Sequence, residues 1–321
     1  MPRIVYVMAG DADRQFAESL VPHGFELVEV KAGSPELEAA MPEADYLVGL
    51  GDRSMDDKFY ARAKKLRLVQ LLSAGYDKCD IEAARRAGIP ICNNGGANSV
   101  AVAEHTLMLM LAVARQAARQ DAAVRSGEWN IRNRFETVEL DGKTLLLLGF
   151  GRIGRRVAEL AQAFGMAVTA HDPYVKPDVL ARHRVRPAPD LAKALAEADY
   201  LSLHMPGSAG GPLIGEKELG LMKPSAILVN AARGGLVDET ALDAALRAGR
   251  LYGAGLDVLE TEPPPASHPL LSNERVLISP HGAGLTAECA ARMAVASVQN
   301  VIDHFAGKLD PGLVVNAAAI G

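Results

Sequence analysis

Three polar residues of complementary chemistry follow apolar segments in the second half of the chain: Arg233, Glu262 and His281. An arginine binds a carboxylate through two charge-assisted hydrogen bonds, and a histidine exchanges protons near neutral pH. A neighbouring carboxylate orients a histidine and favours its protonated form. Taken singly, each has a structural alternative: Arg233 caps a loop, Glu262 is a solvated charge, and His281 satisfies backbone groups. Together they predict a site that binds a carboxylate and moves a proton, with Glu262 paired to His281.

A glycine motif precedes these residues. Gly149-Phe150-Gly151-Arg152-Ile153-Gly154 follows the apolar run Leu145 to Leu148 and opens a helical segment. Its three glycines permit a tight turn, close approach of a pyrophosphate and tight packing of helix on strand, so the motif predicts a dinucleotide site. A bound nicotinamide that reduces a carbonyl carbon leaves an oxygen that needs a proton, and His281 is the predicted donor.

Asp172 lies about 20 residues beyond the motif, where a carboxylate hydrogen-bonds the adenosine ribose and repels a 2′-phosphate. It favours NAD over NADP. The alternative is that Asp172 belongs to an ordinary turn, and nearby Arg182 and Arg184 would soften the preference.

Two further segments are candidates for binding. Small residues in Ser73-Ala74-Gly75-Tyr76-Asp77 expose backbone amides that can form a nest for a carboxylate, although a plain turn explains the segment equally well. His204 and Pro206 follow another apolar strand and are expected to line the cofactor pocket.

Short apolar strands alternate with helical patterns, which predicts an α/β protein with two doubly wound parallel sheets and a cleft between them. We expect a flavodoxin-like substrate domain at residues 1–97, a Rossmann cofactor domain at 98–284, and a C-terminal helix at 285–321 that returns to the substrate domain. Asn98 is expected to cap a long helix running toward Arg125. The predicted strands are Ile4 to Met8, Phe25 to Val30, Tyr46 to Leu50, Leu66 to Leu72, Ile89 to Asn93, Leu145 to Leu148, Ala167 to His171, Tyr200 to His204, Ala226 to Asn230, Tyr252 to Val258 and Val276 to Pro280.

Composition excludes several classes of protein. With 321 residues, 49% of them hydrophobic, a net charge of −5 and no basic stripe, the chain is typical of a two-domain globular protein that does not bind nucleic acid. Early acidic residues argue against a signal peptide, and no apolar run is long enough to cross a membrane, so a cytoplasmic location is expected.

The three cysteines are expected to be reduced and buried, and the histidine spacing suggests no metal. The helix near Val100 to Ala114 is apolar over much of its circumference, which predicts a homodimer.

Three segments carry a family resemblance: Asn230 to Asp238, Leu256 to Pro263 and Ser279 to Gly284 resemble the D-isomer-specific 2-hydroxyacid dehydrogenases. The resemblance extends over nearly the whole chain. It implies Arg233 as substrate clamp and electrophile, Glu262 as partner of His281, and His281 as acid in reduction and base in oxidation. It also implies that the Ala74 and Gly75 amides bind the substrate carboxylate, Arg152 and Ile153 the pyrophosphate, Asp172 the ribose, and Ala231, Asp257 and Gly284 the nicotinamide half.

Departures from the family pattern narrow the range of activities that the resemblance implies. Pro206 to Gly211 replaces the Pro-Leu-Thr stretch of many members, so contacts on the adenine side are not transferred. Glu262 and Ala74 stand where formate and phosphite dehydrogenases have glutamine and lysine, and no regulatory extension of the phosphoglycerate dehydrogenase type is expected. The predicted activity is NAD-dependent reduction of a small 2-oxo acid such as glyoxylate or hydroxypyruvate. The alternative is an NAD-sensing binding protein similar to the C-terminal-binding-protein corepressors.

Overall fold

The computed structural model describes residues 1–8, 19–49, 55–134, 136–207 and 210–317. The chain forms two compact units. The first comprises Met1–Asn98 and Thr286–Gly321, and the second comprises Ser99–Leu285. The second unit is therefore one continuous segment inserted into the first.

The first unit is built on a five-stranded parallel sheet of order β2-β1-β3-β4-β5. This is the flavodoxin-like order, in which the direction of winding reverses beside β1. The strands are β1 (Arg3–Met8), β2 (Glu26–Lys31), β3 (Tyr46–Val48), β4 (Leu68–Gln70) and β5 (Ile91–Cys92); the helices are α1 (Pro35–Ala40), α2 (Asp57–Arg62), α3 (Ile81–Ala87) and the long C-terminal α11 (Ala287–Phe305).

The second unit is built on a seven-stranded parallel sheet of order β12-β11-β10-β9-β6-β7-β8. Six of these strands follow the Rossmann order, with its reversal between β6 and β9. The strands are β6 (Thr144–Leu148), β7 (Ala167–His171), β8 (Arg186–Pro187), β9 (Tyr200–Leu203), β10 (Ile227–Asn230), β11 (Gly253–Leu256) and β12 (Val276–Ile278); the helices are α4 (Ser99–Ala114), α5 (Ala117–Arg125), α6 (Arg152–Ala163), α7 (Pro177–Arg182), α8 (Leu191–Glu197), α9 (Glu216–Leu221) and α10 (Glu239–Arg247).

Burial explains why β6 reads as an unbroken apolar run. Leu146 and Leu148 pack into a core on one face of the sheet, and Leu145 and Leu147 pack into a second core on the other face. Successive side chains of a strand point to opposite faces, so a parallel strand covered on both sides needs apolar residues at every position. The predicted fold class, two doubly wound parallel sheets, is confirmed.

Two local predictions are wrong. The helix expected to run from Asn98 toward Arg125 is interrupted, because Gln116 has a left-handed backbone with φ 48°. The carbonyl of Ala114, at the end of α4, accepts hydrogen bonds from the Tyr252 hydroxyl and the Val138 amide, and these contacts end the helix there. Asn98 does not form the expected cap either, since within the described ranges its buried Oδ1 has no hydrogen-bond partner.

Candidate active site

The three candidate catalytic residues follow three neighbouring strands of one sheet. Arg233 comes after β10, Glu262 after β11 and His281 after β12, and β11 pairs in parallel with both of the others. Ligands of open α/β sheets bind outside the carboxyl ends of the strands. The arrangement therefore places the three residues at the sheet edge where this class of fold binds its ligands.

His281 and Glu262 form a hydrogen-bonded pair. Nδ1 of His281 lies 2.7 Å from Oε2 of Glu262, and the other carboxylate oxygen accepts a hydrogen bond from the Leu259 amide at 3.0 Å. The His281 side chain is 52% exposed, so solvent and substrate can reach the ring. His281 has a left-handed backbone with φ 51°, which is uncommon for residues other than glycine and marks a tight turn.

Close backbone packing joins the loop of Arg233 to the loop of Glu262. A Cβ added at Gly234 would collide with the carbonyl of Leu259, so only glycine allows the two loops to meet. The Asn230 side chain braces the Arg233 loop, donating to the Arg233 carbonyl at 2.8 Å and accepting from the Ala232 amide at 3.0 Å. The Arg233 guanidinium is half-buried and donates to the Ala232 carbonyl at 2.6 Å. The Arg233 side chain is thus held by the backbone of its own loop, and that loop packs against the loop whose Leu259 amide holds Glu262.

Asp257 connects the loops that follow β11 and β12. Its side chain is 1% exposed and accepts hydrogen bonds from the amides of Gly282 and Ala283, each at 2.9 Å. Burial alone would raise its pKa, but the adjacent His105 side chain and hydrogen bonds from Ser279 and these two amides hold the pKa of the carboxyl below its ordinary value. A buried carboxylate therefore fixes the two residues that follow His281.

The contacts of Asp257 include a histidine that the sequence did not indicate. Nε2 of His105, on α4, lies 2.8 Å from the Ser279 hydroxyl, which donates to Asp257 at 2.6 Å. His105 stands 152 residues before Asp257, since the two numbers differ by that amount, and no short motif links them.

A second carboxylate–histidine pair supports the loop that carries Glu262. Oε2 of Glu239, at the start of α10, lies 2.9 Å from Nε2 of His268. Oε1 of Glu239 accepts a hydrogen bond from the Glu260 amide at 2.6 Å. Both side chains are largely buried, at 10% and 15% exposure. This pair could not be predicted from the sequence, because neither residue directly follows the end of a strand.

The glycine motif has the geometry of a dinucleotide cradle. Gly149 has φ 93° and a Cβ there would collide with the carbonyl of His204, whereas a Cβ at Gly154 would collide with the carbonyl of Gly149. A Cβ at Gly151 would meet nothing within 4 Å, so this glycine faces open space at the start of α6, as close approach of a pyrophosphate requires. Arg152 and Ile153 begin that helix.

Asp172 lies directly against this cradle. Its Oδ2 accepts from the amide of Phe150 at 2.8 Å and its Oδ1 from the amide of Tyr174 at 2.9 Å. The carboxylate is thereby fixed at the end of β7, beside the strand that leads into the glycine motif.

The other predicted cofactor residues occupy the same unit. Ile153 packs in a small apolar cluster with Val102, Ala231 and Ala283, which brings the start of α6 to the ends of β10 and β12. His204 follows β9 with Nε2 2.8 Å from the Ser202 hydroxyl and a buried Nδ1, and burial lowers its pKa to about 3, so the ring is neutral at physiological pH. Pro206 is exposed and Gly284 half-buried. Of the departing stretch Pro206 to Gly211, Ser208 and Ala209 lie outside the described residues.

Ala74 and Gly75 belong to the first unit, after β4. Their carbonyls accept hydrogen bonds from the side chains of Asn93 and Ser73, at 3.3 and 2.7 Å. Within the described part of the chain, their amides have no hydrogen-bond partner, as a carboxylate nest requires.

The three cysteines are free and buried, as predicted. In the described ranges, no group of three or more histidine, cysteine, aspartate or glutamate residues is arranged to hold a metal ion. Nor does any helix of the described residues have the length and apolar character needed to cross a membrane.

Comparison with known proteins agrees with this geometry. The family model described as D-isomer specific 2-hydroxyacid dehydrogenase, NAD binding domain, matches residues 107–283. A glyoxylate reductase of Aeropyrum pernix is 42% identical over 283 residues, covering 85% of this chain and 83% of that protein. A D-3-phosphoglycerate dehydrogenase of Methanocaldococcus jannaschii is 38% identical over 290 residues, covering 89% of this chain but only 55% of that protein.

Solved structures show the same architecture. A protein of Thermus thermophilus superposes with a TM-score of 0.83 at 36% identity, over 98% of this chain and 99% of that one. An NADPH-dependent glyoxylate/hydroxypyruvate reductase of Sinorhizobium meliloti superposes with a TM-score of 0.85 at 26% identity, over 99% of both chains. The fold and the site define an NAD-binding oxidoreductase. The chain belongs to the D-isomer-specific 2-hydroxyacid dehydrogenase family, and NAD is its cofactor.

Proposed function

We propose that this protein is an NAD-dependent reductase of small 2-oxo acids, which it converts to D-2-hydroxy acids. The observation that carries the proposal is the His281–Glu262 pair, packed against the loop of Arg233 at the carboxyl edge of the cofactor-binding sheet. Identity of 42% to a glyoxylate reductase over most of both chains supports a substrate of this size, such as glyoxylate or hydroxypyruvate.

In the proposed mechanism, bound NADH supplies a hydride to the carbonyl carbon, and the protein supplies the proton. Since a carboxylate only accepts hydrogen bonds, Nδ1 of His281 carries hydrogen toward Glu262, and Nε2 is the atom that gives a proton to the carbonyl oxygen. Glu262 holds the ring in the orientation needed for that transfer. In the reverse direction, neutral Nε2 accepts the hydroxyl proton.

Arg233 is proposed to bind the substrate carboxylate and carbonyl oxygen through its planar guanidinium. We propose that the amides of Ala74 and Gly75 bind a carboxylate, and that the first unit, with residues 285–321 returning to it, is the substrate domain. Residues 98–284 form the proposed cofactor domain: Gly149, Gly151 and Gly154, with Arg152 and Ile153, surround the pyrophosphate. The nicotinamide half is assigned to Ala231, Asp257 and Gly284, and the pocket lining to His204 and Pro206.

We propose a preference for NAD over NADP, because the Asp172 carboxylate would repel a 2′-phosphate.

Three buried thiols fit a reducing compartment, which supports the cytoplasm as the location.

A homodimer is proposed from an apolar groove of about 560 Å³ between α4 and α6. Met108 and Phe164, which line it, are 43% and 44% exposed, so two large apolar side chains face solvent in one groove. A charge in the groove should dissociate the dimer: we expect Met108→Glu to sediment as a monomer. Val295→Glu, a matched change at an exposed position of the first unit, should leave the native mass unchanged, and an unchanged mass for Met108→Glu would refute this interface.

The enzymatic proposal is tested by following NADH oxidation by its absorbance, with a panel of 2-oxo acids of increasing size. Turnover of at least one small member, with formation of the D-isomer, is the expected result. Tight NADH binding without turnover of any member would instead favour the NAD-sensing alternative.

A further inference from the structure

Helix α4 crosses strand β11 in a regular register set by two glycines. A Cβ added at Gly253 would lie 2.7 Å from Cγ1 of Val113, and one at Gly255 would lie 2.9 Å from Cβ of Leu109. Four residues of helix advance about 6 Å and two residues of strand about 6.6 Å, so the next matched pair is His105 with Asp257. The absence of side chains at Gly253 and Gly255 lets the helix come close enough for this third pair to touch.

The contacts at that third pair confirm the register. Nε2 of His105 lies 2.8 Å from Oγ of Ser279 and 3.4 Å from Oδ1 of Asp257. Because a carboxylate can only accept hydrogen bonds, the Ser279 hydroxyl donates its hydrogen to Asp257. Oγ of Ser279 then accepts a hydrogen bond from the N–H at Nε2 of His105. The hydrogen-bond chain runs from α4 through Ser279 to a carboxylate that is almost completely buried.

The same carboxylate holds the backbone around His281. Besides the amides of Gly282 and Ala283, which bond its side chain, the amide of His281 donates to the Asp257 carbonyl at 2.8 Å. His281 itself has a left-handed φ of 51° and depends on neighbouring contacts to hold that turn.

We propose that His105 is a positioning residue for the reaction: through Ser279 and Asp257 it fixes the turn that presents His281 to the substrate. The proposal deepens the function proposed above and rests on it. His105 touches neither of the proposed reacting groups, Arg233 and His281, in the described contacts, so its effect is on the geometry of His281 and not on proton transfer itself.

Two variants separate a hydrogen-bonding role from simple packing. His105→Leu removes the donor and keeps an apolar side chain on α4, whereas His105→Gln places an N–H near the position of Nε2. Hydrogen–deuterium exchange of residues 279–284 in the native protein and both variants reports directly on the turn. We expect exchange of this segment to be about tenfold faster in His105→Leu and close to native in His105→Gln.

Steady-state kinetics provides the second measurement. We expect kcat to fall about tenfold in His105→Leu, the upper end of what one hydrogen bond between uncharged groups contributes, with KM for NADH nearly unchanged. His105→Gln should recover most of the rate, and Ser279→Ala should repeat the behaviour of His105→Leu. His304→Leu, which removes a partly buried histidine from α11, should leave both exchange at 279–284 and kcat at the native level.

The outcomes separate this proposal from the proposed function. Native exchange at 279–284 in His105→Leu, or a glutamine variant no better than the leucine variant, would overturn the positioning role. If the native protein reduced no 2-oxo acid, the proposed function would fail, and the exchange comparison would still decide whether His105 holds the turn.

Discussion

Oε2 of Glu262 lies 2.7 Å from Nδ1 of His281, although the two residues come from loops after different strands. Glu262 therefore holds Nδ1 of His281, and Nε2 is the ring nitrogen that remains available to exchange a proton. Since Oε1 of Glu262 is bonded to the Leu259 amide, rotation of the carboxylate is restricted as well. The orientation of Nε2 is therefore set before a substrate binds, which is the requirement for efficient general acid catalysis.

Replacing Arg233 tests the carboxylate clamp. Lysine keeps the positive charge but lacks the planar fork, so Arg233→Lys should lose about one charge-assisted hydrogen bond and about a hundredfold in kcat/KM for the 2-oxo acid. Arg250→Lys, an exposed arginine of the same unit, serves as the control and should behave as native. A native kcat/KM in Arg233→Lys would mean that bidentate binding is not used.

Replacing Asp172 tests the preference for NAD. Asparagine retains an oxygen that can accept from the Phe150 amide but removes the charge that would repel a 2′-phosphate. We expect Asp172→Asn to raise the ratio of NADPH to NADH efficiency about tenfold or more, measured as kcat/KM for each cofactor. Asp121→Asn, which neutralises an exposed carboxylate on α5 of the same unit, should not change the ratio. An unchanged ratio in Asp172→Asn would assign the preference to other residues.

Two glycines of the motif should respond differently to alanine. Gly149 has φ 93° and its Cβ would meet the His204 carbonyl, so Gly149→Ala should lower the free energy of unfolding by about 2 kcal/mol or more. Gly151 has φ −74° and an open neighbourhood, so Gly151→Ala should melt within about 2 °C of native and weaken NADH binding. Calorimetry and NADH fluorescence titration measure the two effects. Equal melting temperatures for both variants would contradict this division.

His204 should make stability depend on pH. Burial lowers its folded-state pKa to about 3 from an ordinary value of 6.5, so between these values the unfolded chain binds the proton more tightly. Stability is therefore complete above pH 6.5 and falls as the pH drops through this window, with a limiting slope of about 1.4 kcal/mol per pH unit.

Urea denaturation of native protein and His204→Gln at several pH values isolates this contribution. Glutamine does not titrate, so the difference in unfolding free energy between the two proteins should change across the window. The carboxyls of Asp199, Asp243 and Asp257, whose pKa values are also lowered, affect both proteins alike. A difference that is constant with pH would show that His204 does not bind its proton in this way.

The parts of the fold with strong local patterns were predictable from the sequence. All eleven predicted strands overlap observed strands, since most of them are short apolar runs between helical segments or turns. The twelfth strand of the described chain, β8 (Arg186–Pro187), has two residues and no periodicity from which to predict it. The break at Gln116 was missed because Tyr252 and Val138, which end α4, are distant in the chain.

The candidate site was predictable where residues follow strand ends, and not where support comes from elsewhere. Arg233, Glu262 and His281 lie at three neighbouring strand ends, as expected from the carboxyl-edge rule. His105 lies in mid-helix, and its contact with Asp257 follows only from the register of α4 on Gly253 and Gly255. In retrospect, the spacing Val113, Leu109, His105 against Gly253, Gly255, Asp257 is a signal that the sequence contains.

His281 is proposed to supply the proton in reduction, and a comparison of two reaction rates examines that role. Native protein and His281→Asn are given saturating NADH and glyoxylate, or whichever 2-oxo acid the native protein reduces best, and NADH oxidation is followed. We predict a rate about 10²- to 10⁴-fold lower in His281→Asn, with an unchanged Kd for NADH. A variant that oxidises NADH within about threefold of the native rate would contradict the assignment of His281 as the acid.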